Sequence, residues 1–252
     1  MGRIQEALIL AHELSDPHSL AHVLFFAATL HQLRREERLA QERAEAAIAL
    51  SSEHGLVFYL AQATITRGWT LVEQGRHLEG IEQMRQGLTA YEATGAKLLR
   101  PHLLALLAEA LGKAGRPEEG LIVLAEALVV SQQSGNRYYE AELYRLKGEL
   151  LLMQAAGRHV LLAATDEEGV VEAQPTMVMQ AKRCLNEAIS MAQKQRAKSW
   201  KLCAMMSLAR LYQKQDRKEG ARRMLEETYG WFTEGFDTAD LKEAKEILDQ
   251  LS

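Results

Sequence analysis

Small and large apolar residues recur along the chain with a period of forty residues, in runs long enough for helices of several turns. Small residues hold one place in the first half of each unit, at Ala28, Gly68, Ala108, Gly148 and Ala209. They hold two places in the second half of each unit. The first is occupied by Ala40, Gly80, Gly120, Ala181 and Ala221, and the second by Ala47, Gly87, Ala127, Ala188 and Thr228. Because two helices approach closely only where side chains are small, these positions predict the seam of a helical hairpin.

Larger apolar residues recur at one further place, at Met84, Leu124, Leu185 and Leu225. We expect them to fill the gap between neighbouring hairpins. Glycine recurs every twenty residues, at Gly55, Gly75, Gly95, Gly115 and Gly135. Since glycine tolerates the left-handed conformation that ends a helix, each of these positions predicts a helix end. No sustained alternation of polar and apolar residues favours strands.

These patterns predict an all-α, right-handed α-solenoid that forms a single domain over residues 1–252. It consists of an orphan helix 2–14, hairpins 18–53, 57–94, 100–134, 137–195 and 198–233, and a capping helix 238–251. The predicted helices are 2–14, 18–34, 37–53, 57–74, 77–94, 100–114, 117–134, 137–155, 175–195, 198–215, 217–233 and 238–251.

Two places depart from the regular repeat. Ala209 follows Gly148 by 61 residues instead of forty, so the fourth hairpin carries an insertion over 155–175. The insertion is either a loop at the edge of the stack or a segment that folds on a partner. The first helix would direct five apolar residues toward a preceding helix that lies outside this sequence. They are Ala7, Leu8, Leu10, Ala11 and Leu14. This suggests the hypothesis that the chain was cut from a longer protein.

The forty-residue unit resembles the tetratricopeptide repeat, lengthened from its usual ~34 residues by longer helices. The segments Arg67–Gly75 and Gly115–Leu121 carry the resemblance most clearly. The first unit departs from it, because His31 and Arg35 replace an apolar residue and a glycine. The resemblance implies a helical array whose role is binding.

Composition and charge narrow the class of protein. The chain has 30 basic and 34 acidic residues, interspersed, with a net charge of −4, which disfavours a nucleic-acid partner. Two cysteines, Cys184 and Cys203, fit small core positions in a reducing compartment. No signal peptide and no apolar run of about eighteen residues is present, so we expect a cytoplasmic protein without a membrane partner.

The sequence has none of the common catalytic or ligand-binding motifs. It contains no phosphate loop and no H-E-x-x-H pair, and its histidines are scattered over different units. The carboxylate pairs Glu36–Glu37 and Glu118–Glu119 fall in opening turns, where they favour the helix dipole. We therefore expect no enzyme activity, no cofactor and no metal.

The surface with most functional interest is the face formed by the first helix of each hairpin, which lines the concave side of a tetratricopeptide array. The binding candidates on it are His22, Phe25, Gln62, Trp69, Glu73, His102, Glu109, Lys113, Glu142, Arg145, Glu149 and Arg210. Aromatic and arginine residues often carry binding energy, which favours a groove for a protein or peptide. The alternative is an ordinary solvated face, with Trp69 packed between hairpins.

The segments Glu140–Leu152 and Gly230–Lys245 resemble the end of large bacterial signalling proteins. Those proteins combine a class III adenylate or guanylate cyclase, a P-loop ATPase module and a C-terminal tetratricopeptide array. The resemblance implies a sensing or scaffolding tail whose partner is a protein segment or the upstream domains of the same polypeptide. It transfers no cyclase or ATPase residue to this chain.

Two other functions stay open at this point. One is a free-standing scaffold or homodimer that uses the open N-terminal face, and the other is a small-molecule sensor that binds inside the superhelix. A cluster of aromatic residues near the end of the chain, Tyr229, Trp231, Phe232 and Phe236, is interpreted as the seam that docks the last helix.

Overall fold

A computed structural model describes residues 2–163 and 173–251, and these residues form twelve α-helices without a β-strand. The first six are α1 (Gly2–Glu13), α2 (Pro17–Leu33), α3 (Glu37–Glu53), α4 (Val57–Glu73), α5 (His77–Ala93) and α6 (Arg100–Lys113). The last six are α7 (Pro117–Ser134), α8 (Glu140–Ala163), α9 (Ala173–Lys194), α10 (Lys198–Lys214), α11 (Lys218–Tyr229) and α12 (Ala239–Gln250). The all-α prediction is confirmed.

Most predicted helix bounds agree with the structure to within two residues, and the differences have local causes. Helix α8 runs to Ala163 instead of ending at 155, because the first part of the predicted insertion is rich in alanine and leucine, which favour a helix. Residues 164–172 of the insertion lie outside the described residues, and its last three residues, 173–175, belong to α9. Helix α11 ends at Tyr229 instead of 233, where Gly230 disfavours continuation.

The predicted helix ends are confirmed by the backbone. The five glycines at twenty-residue spacing all have φ between +66° and +81°. Four other residues, Ser15, Arg35, Arg196 and Asp216, take φ between +51° and +58° at further helix ends. Ser15 and Arg35 continue the same spacing, but a search for glycine misses them because they are not glycine.

The hairpin seams are as tight as the small residues predict. A Cβ atom added at Gly68 would lie 2.6 Å from Met84 Cγ and 2.7 Å from the carbonyl oxygen of Gly80. A Cβ at Gly148 would lie 2.9 Å from Leu185 Cδ2. Met84 and Leu185 are themselves fully buried. Leu185 also packs in a cluster with Ala204 and Leu208 of α10, the first helix of the next hairpin, as expected for a residue between hairpins.

The helices fall into two compact units, one up to Ala114 and one from Gly115, and each is described by itself. In the first unit each helix packs on the next, and α4 also contacts α2 and α6. In the second unit α8, α9, α10 and α11 pack in succession, and α12 covers α10 and α11. The single domain over 1–252 stays a prediction. Within the described residues no helix is both long and apolar enough to cross a membrane.

Helix α1 packs differently from the prediction. Leu8 and Ala11 are buried, and Leu8 lies in a cluster with Leu24 of α2, so these two residues do not face a preceding helix. Helix α1 packs these residues on α2, and most of its other residues are exposed. The large apolar residues among the exposed ones are Ile9 and Leu10 of α1 and Leu14, which follows the helix; they are 52%, 56% and 60% exposed and are called the exposed stripe of α1.

Helix α12 closes the second unit, as predicted for a cap. Its apolar residues Leu241 and Ile247 pack in a cluster with Leu225, and Tyr229 and Phe232 pack against this cluster. The predicted seam is therefore correct for these two aromatic residues. It is not complete, because Trp231 and Phe236 remain 38% and 47% exposed.

Candidate functional site

Three predicted candidates of the first unit come together as an ion-pair cluster between α4 and α6. Lys113 Nζ donates a short hydrogen bond to Glu73 Oε1 and lies 3.1 Å from Glu109 Oε1. Burial favours a lower pKa for Lys113, but the two carboxylates outweigh it and the pKa is raised. These charges pair with one another, so they offer little free charge to a ligand.

An aromatic patch lies on the first helices of the same unit and consists of His18, His22, Phe26 and Tyr59. His22 Nδ1 lies 3.1 Å from Tyr59 Oη, and His18 Nε2 lies 3.5 Å from the same oxygen. The His22 and Phe26 rings meet edge to face with centroids 4.8 Å apart. His22 is exposed and Phe26 is 48% exposed, so the patch presents an aromatic surface to solvent.

Three other candidates of this unit do not line a surface. Phe25, Gln62 and Trp69 are only 5%, 0% and 3% exposed, so the expectation that they face a ligand is wrong. Phe25 packs against Ala21 in a core cluster that includes Tyr59. Gln62 and Trp69 lie on α4, which is surrounded by four helices of the unit, so most of its residues are buried. The alternative interpretation of Trp69, as a packing residue, is the correct one.

His102 is half-buried on α6, and burial lowers its pKa to about 4. The ring therefore stays neutral in the folded protein at a pH where the unfolded chain, with the ordinary pKa of 6.5, is already protonated. This contribution to stability is complete above pH 6.5 and is lost as the pH falls toward 4.

The free energy of unfolding should fall between pH 7 and pH 4 in the wild type and in the variant His102→Gln. We expect the fall in the wild type to be larger by about 2–3 kcal/mol, because only the wild type has to protonate His102. Urea unfolding at a series of pH values measures this difference. His54, an exposed histidine, provides the control variant His54→Gln, which we expect to follow the wild-type slope. Equal slopes for wild type and His102→Gln would contradict the assignment.

In the second unit, three candidates on α8 form one ion-pair network. Arg145 Nε donates to Glu142 Oε2 at 2.8 Å, and Arg145 Nη1 lies 2.7 Å from Glu149 Oε2. The three side chains are 14%, 12% and 26% exposed. Burial works against the charge on Arg145, but the two glutamates outweigh it and hold its pKa well above the ordinary value.

The network reaches α10 and α12. Ser207 Oγ donates to Glu149 Oε1 at 2.6 Å, and Arg210 pairs with Glu243 through a short hydrogen bond. Burial tends to raise the pKa of Glu149, but Arg145 and the Ser207 hydrogen bond lower it overall. The predicted candidates Glu142, Arg145, Glu149 and Arg210 thus belong to a polar network that joins three helices.

Both cysteines are free and half-buried. Burial raises the pKa of Cys184, and burial together with Asp240 raises the pKa of Cys203 well above its ordinary value. Because the thiolate is the nucleophile, these thiols are poorly reactive at neutral pH. Among the side chains that the structure describes, over 2–157 and 176–251, no group of three or more His, Cys, Asp or Glu residues is arranged to hold a metal ion.

Sequence reasoning missed several members of both clusters, although one signal for them was present. Phe26 and Ser207 occupy the same place in the forty-residue unit, four residues after the place held by His22 and Cys203. Residues four apart on a helix share a face, so this place belongs to the same surface. Asp240 and Glu243 come from the cap, for which the repeat pattern holds no equivalent, and Tyr59 lies at the start of α4, before the positions assigned to the first-helix face.

The packing of successive hairpins through small-residue seams defines an α-solenoid type of helical repeat. No family model matches the chain. A stretch of 160 residues, 63% of the chain, is 28% identical to an uncharacterized protein of Rhizobium meliloti (strain 1021). This match covers 15% of the relative, so the chain spans a small part of the length of the curated relative it matches.

Proposed function

We propose that this chain is a non-catalytic interaction module that binds a protein segment through the aromatic patch of the first unit. The observation that carries the proposal is Phe26, an apolar side chain 48% exposed beside the exposed ring of His22. Most other apolar residues on the first helices of this unit are buried. The charged candidates Glu73, Glu109 and Lys113 pair among themselves, whereas the patch keeps an exposed apolar side chain.

The patch has the features of a binding hot spot. The His22 ring is held in place by Tyr59, because Tyr59 is buried and its hydroxyl group lies within hydrogen-bonding distance of His22. A rigid aromatic surface loses little conformational entropy when a partner covers it. Aromatic anchors of this type carry much of the energy in protein interfaces.

A photo-crosslinking amino acid placed at position 26 of the full polypeptide in its own cells tests the proposal. We expect a discrete crosslink, either to another protein or to an upstream segment of the same chain, identified by mass spectrometry. Leu78 on α5 is 75% exposed and provides the control position, from which we expect no such crosslink. An identical pattern from both positions, or none from position 26, would reject the patch as the interface.

We also propose that the module is the tail of a larger cyclase or ATPase signalling protein. The resemblance of Glu140–Leu152 and Gly230–Lys245 supports this, as does the greater length of the bacterial relative. An antibody against this region, used on the cells that make the protein, measures the mass on a denaturing gel. A band several times heavier than 28.2 kDa supports a tail, and a band at that mass argues against it.

The exposed stripe of α1 favours a second function, a scaffold that dimerises through its N-terminal face. Ile9, Leu10 and Leu14 form an apolar surface that a second copy or another helix could cover. The double variant Leu10→Glu and Leu14→Glu leaves the buried Leu8 in place, so we expect it to fold. If the wild type sediments as a dimer and this variant as a monomer, the stripe is the interface; a monomeric wild type rules this function out.

A further inference from the structure

A pocket in the second unit lies between the α9–α10 connection and the segment that follows α11. Its volume is about 290 Å³, and it is lined by Ala192, Gln193, Arg196, Ala197, Lys198, Lys201 and Trp231. The neutral part of this lining is mainly alanine and tryptophan. The pocket therefore combines an apolar wall with three cationic side chains.

Lys201 is the most unusual of these residues, because it is a lysine only 4% exposed. Its Nζ atom lies 3.9 Å from the centroid of the Trp231 ring. The ring face attracts the ammonium group, but an ammonium also carries three N–H donors. Within the described part of the chain, Lys201 Nζ donates no hydrogen bond and forms no ion pair. An anion in the pocket would supply the acceptor that this ammonium does not find in the described part of the chain.

The other two cationic residues of the pocket, Arg196 and Lys198, also lack an acceptor for their side-chain donors among the described residues. Neither the Arg196 nor the Lys198 side chain forms an ion pair or hydrogen bond with any described residue, whereas many arginines elsewhere are paired. The surrounding sequence contains no compensating acid. Between Ala188 and Gln215 there are six lysines and arginines and no aspartate or glutamate, in a chain of net charge −4.

The backbone adds to the positive potential. Helix α10 begins at Lys198, and the preceding Ala197 offers no side chain to cap its first-turn N–H groups. These N–H groups and the helix dipole favour an anion beside Lys198. The Lys201 ammonium, the two exposed cations and the helix start thus all border one pocket.

We propose that this pocket binds a small organic anion. Its carboxylate or phosphate group contacts Lys201, Arg196 and Lys198, and its apolar, planar body packs against Trp231. The volume is at the lower end for ligand pockets, so the ligand is small. The site is separate from the aromatic patch of the first unit and does not rest on the interaction proposed there.

Titration with four probes tests this proposal, with the indole N–H signal of Trp231 followed by NMR in the folded chain. The signal is assigned by its loss in Trp231→Phe. The probes are benzoate, phenyl phosphate, the neutral analogue benzamide and inorganic phosphate. We expect saturable millimolar shifts with benzoate or phenyl phosphate, and the ratio of their affinities identifies the preferred acidic group. We expect inorganic phosphate to bind at least about tenfold more weakly, and benzamide to give no shift.

Matched variants assign the binding to the cations. Lys201→Met keeps most of the unbranched apolar stem but removes the ammonium group, and should weaken binding by at least about tenfold, which is the effect of losing one charge-assisted hydrogen bond. Arg196→Gly removes a charge at a residue with φ of +55°, a conformation that suits glycine, and should weaken binding without unfolding the chain. Lys214→Met, at the far end of α10, is the control and should bind as the wild type does.

Three results would overturn the proposal. The first is the absence of a Trp231 shift with both organic anions. The second is equal binding of benzamide and benzoate, or of inorganic phosphate and phenyl phosphate. The third is unchanged affinity in both Lys201→Met and Arg196→Gly.

Discussion

Replacing Gly68 with leucine should open the α4–α5 hairpin and lower the free energy of unfolding by about 3 kcal/mol, the upper end for overpacking. A Cβ atom at this position meets Met84 Cγ at 2.6 Å and the carbonyl oxygen of Gly80 at 2.7 Å. The Met84 side chain can rotate away, but the Gly80 backbone can move only if α5 moves. Urea unfolding followed by circular dichroism measures the loss.

The control for this variant is Gly220→Leu. Gly220 also lies inside a helix, but a Cβ atom added there would meet nothing within 4 Å. We expect this change to leave stability equal to the wild type or slightly higher, because leucine favours a helix more than glycine does. Similar losses in both variants would show that the seam is not the cause.

Replacing Arg145 with methionine should lower the free energy of unfolding by about 3 kcal/mol. Methionine keeps much of the apolar stem but removes the cation between Glu142 and Glu149, which are 12% and 26% exposed. Removing one partner of a buried pair leaves the other charge without compensation, and this is the costly step. The surface pair Arg222–Glu226, with its arginine 46% exposed, provides the control Arg222→Met, which should cost at most about 0.5 kcal/mol.

The pH dependence of the Arg145→Met variant gives a second readout. In the wild type the pKa of Glu149 is below its ordinary value of 4.5, so its contribution to stability is complete above pH 4.5 and is lost at lower pH. Without Arg145, the largest of the interactions that lower this pKa is absent, so Glu149 binds a proton more readily in the folded variant than in the folded wild type. The stability deficit of the variant should therefore shrink as the pH falls through 4.5, because the wild type loses the contribution of Glu149 and the variant has little of it to lose. An unchanged pH profile would contradict the role assigned to the network.

The candidate site was only partly predictable from the repeat. Some residues assigned to the first-helix face lie together in the structure, namely Glu73 with Lys113, and Glu142 with Arg145 and Glu149, but they are paired with one another. The same positions failed for Gln62 and Trp69, because the burial of a helix face depends on how many neighbours surround that helix. Helix α4 has four neighbours in its unit, and no sequence pattern within α4 states that number.

The anion pocket illustrates a second limit. Lys201 and Trp231 are thirty residues apart and belong to different parts of the repeat, so their contact arises only when α11 ends at Tyr229 and the chain turns back. The aromatic residues near the chain end carried the signal for a docking seam. They did not indicate that the Trp231 ring would lie outside the seam and contact Lys201.

The sequence by itself determined the helices, their ends and the hairpin seams, because these depend on local properties. A glycine at a helix end, or a small residue at a contact, acts through the backbone of its own or the adjacent helix, and such signals repeat every forty residues. Only the tertiary structure decided which first-helix residues are buried, which charges neutralise one another and where an unpaired lysine meets a ring. These outcomes depend on distances between residues far apart in the chain, which a local pattern does not contain.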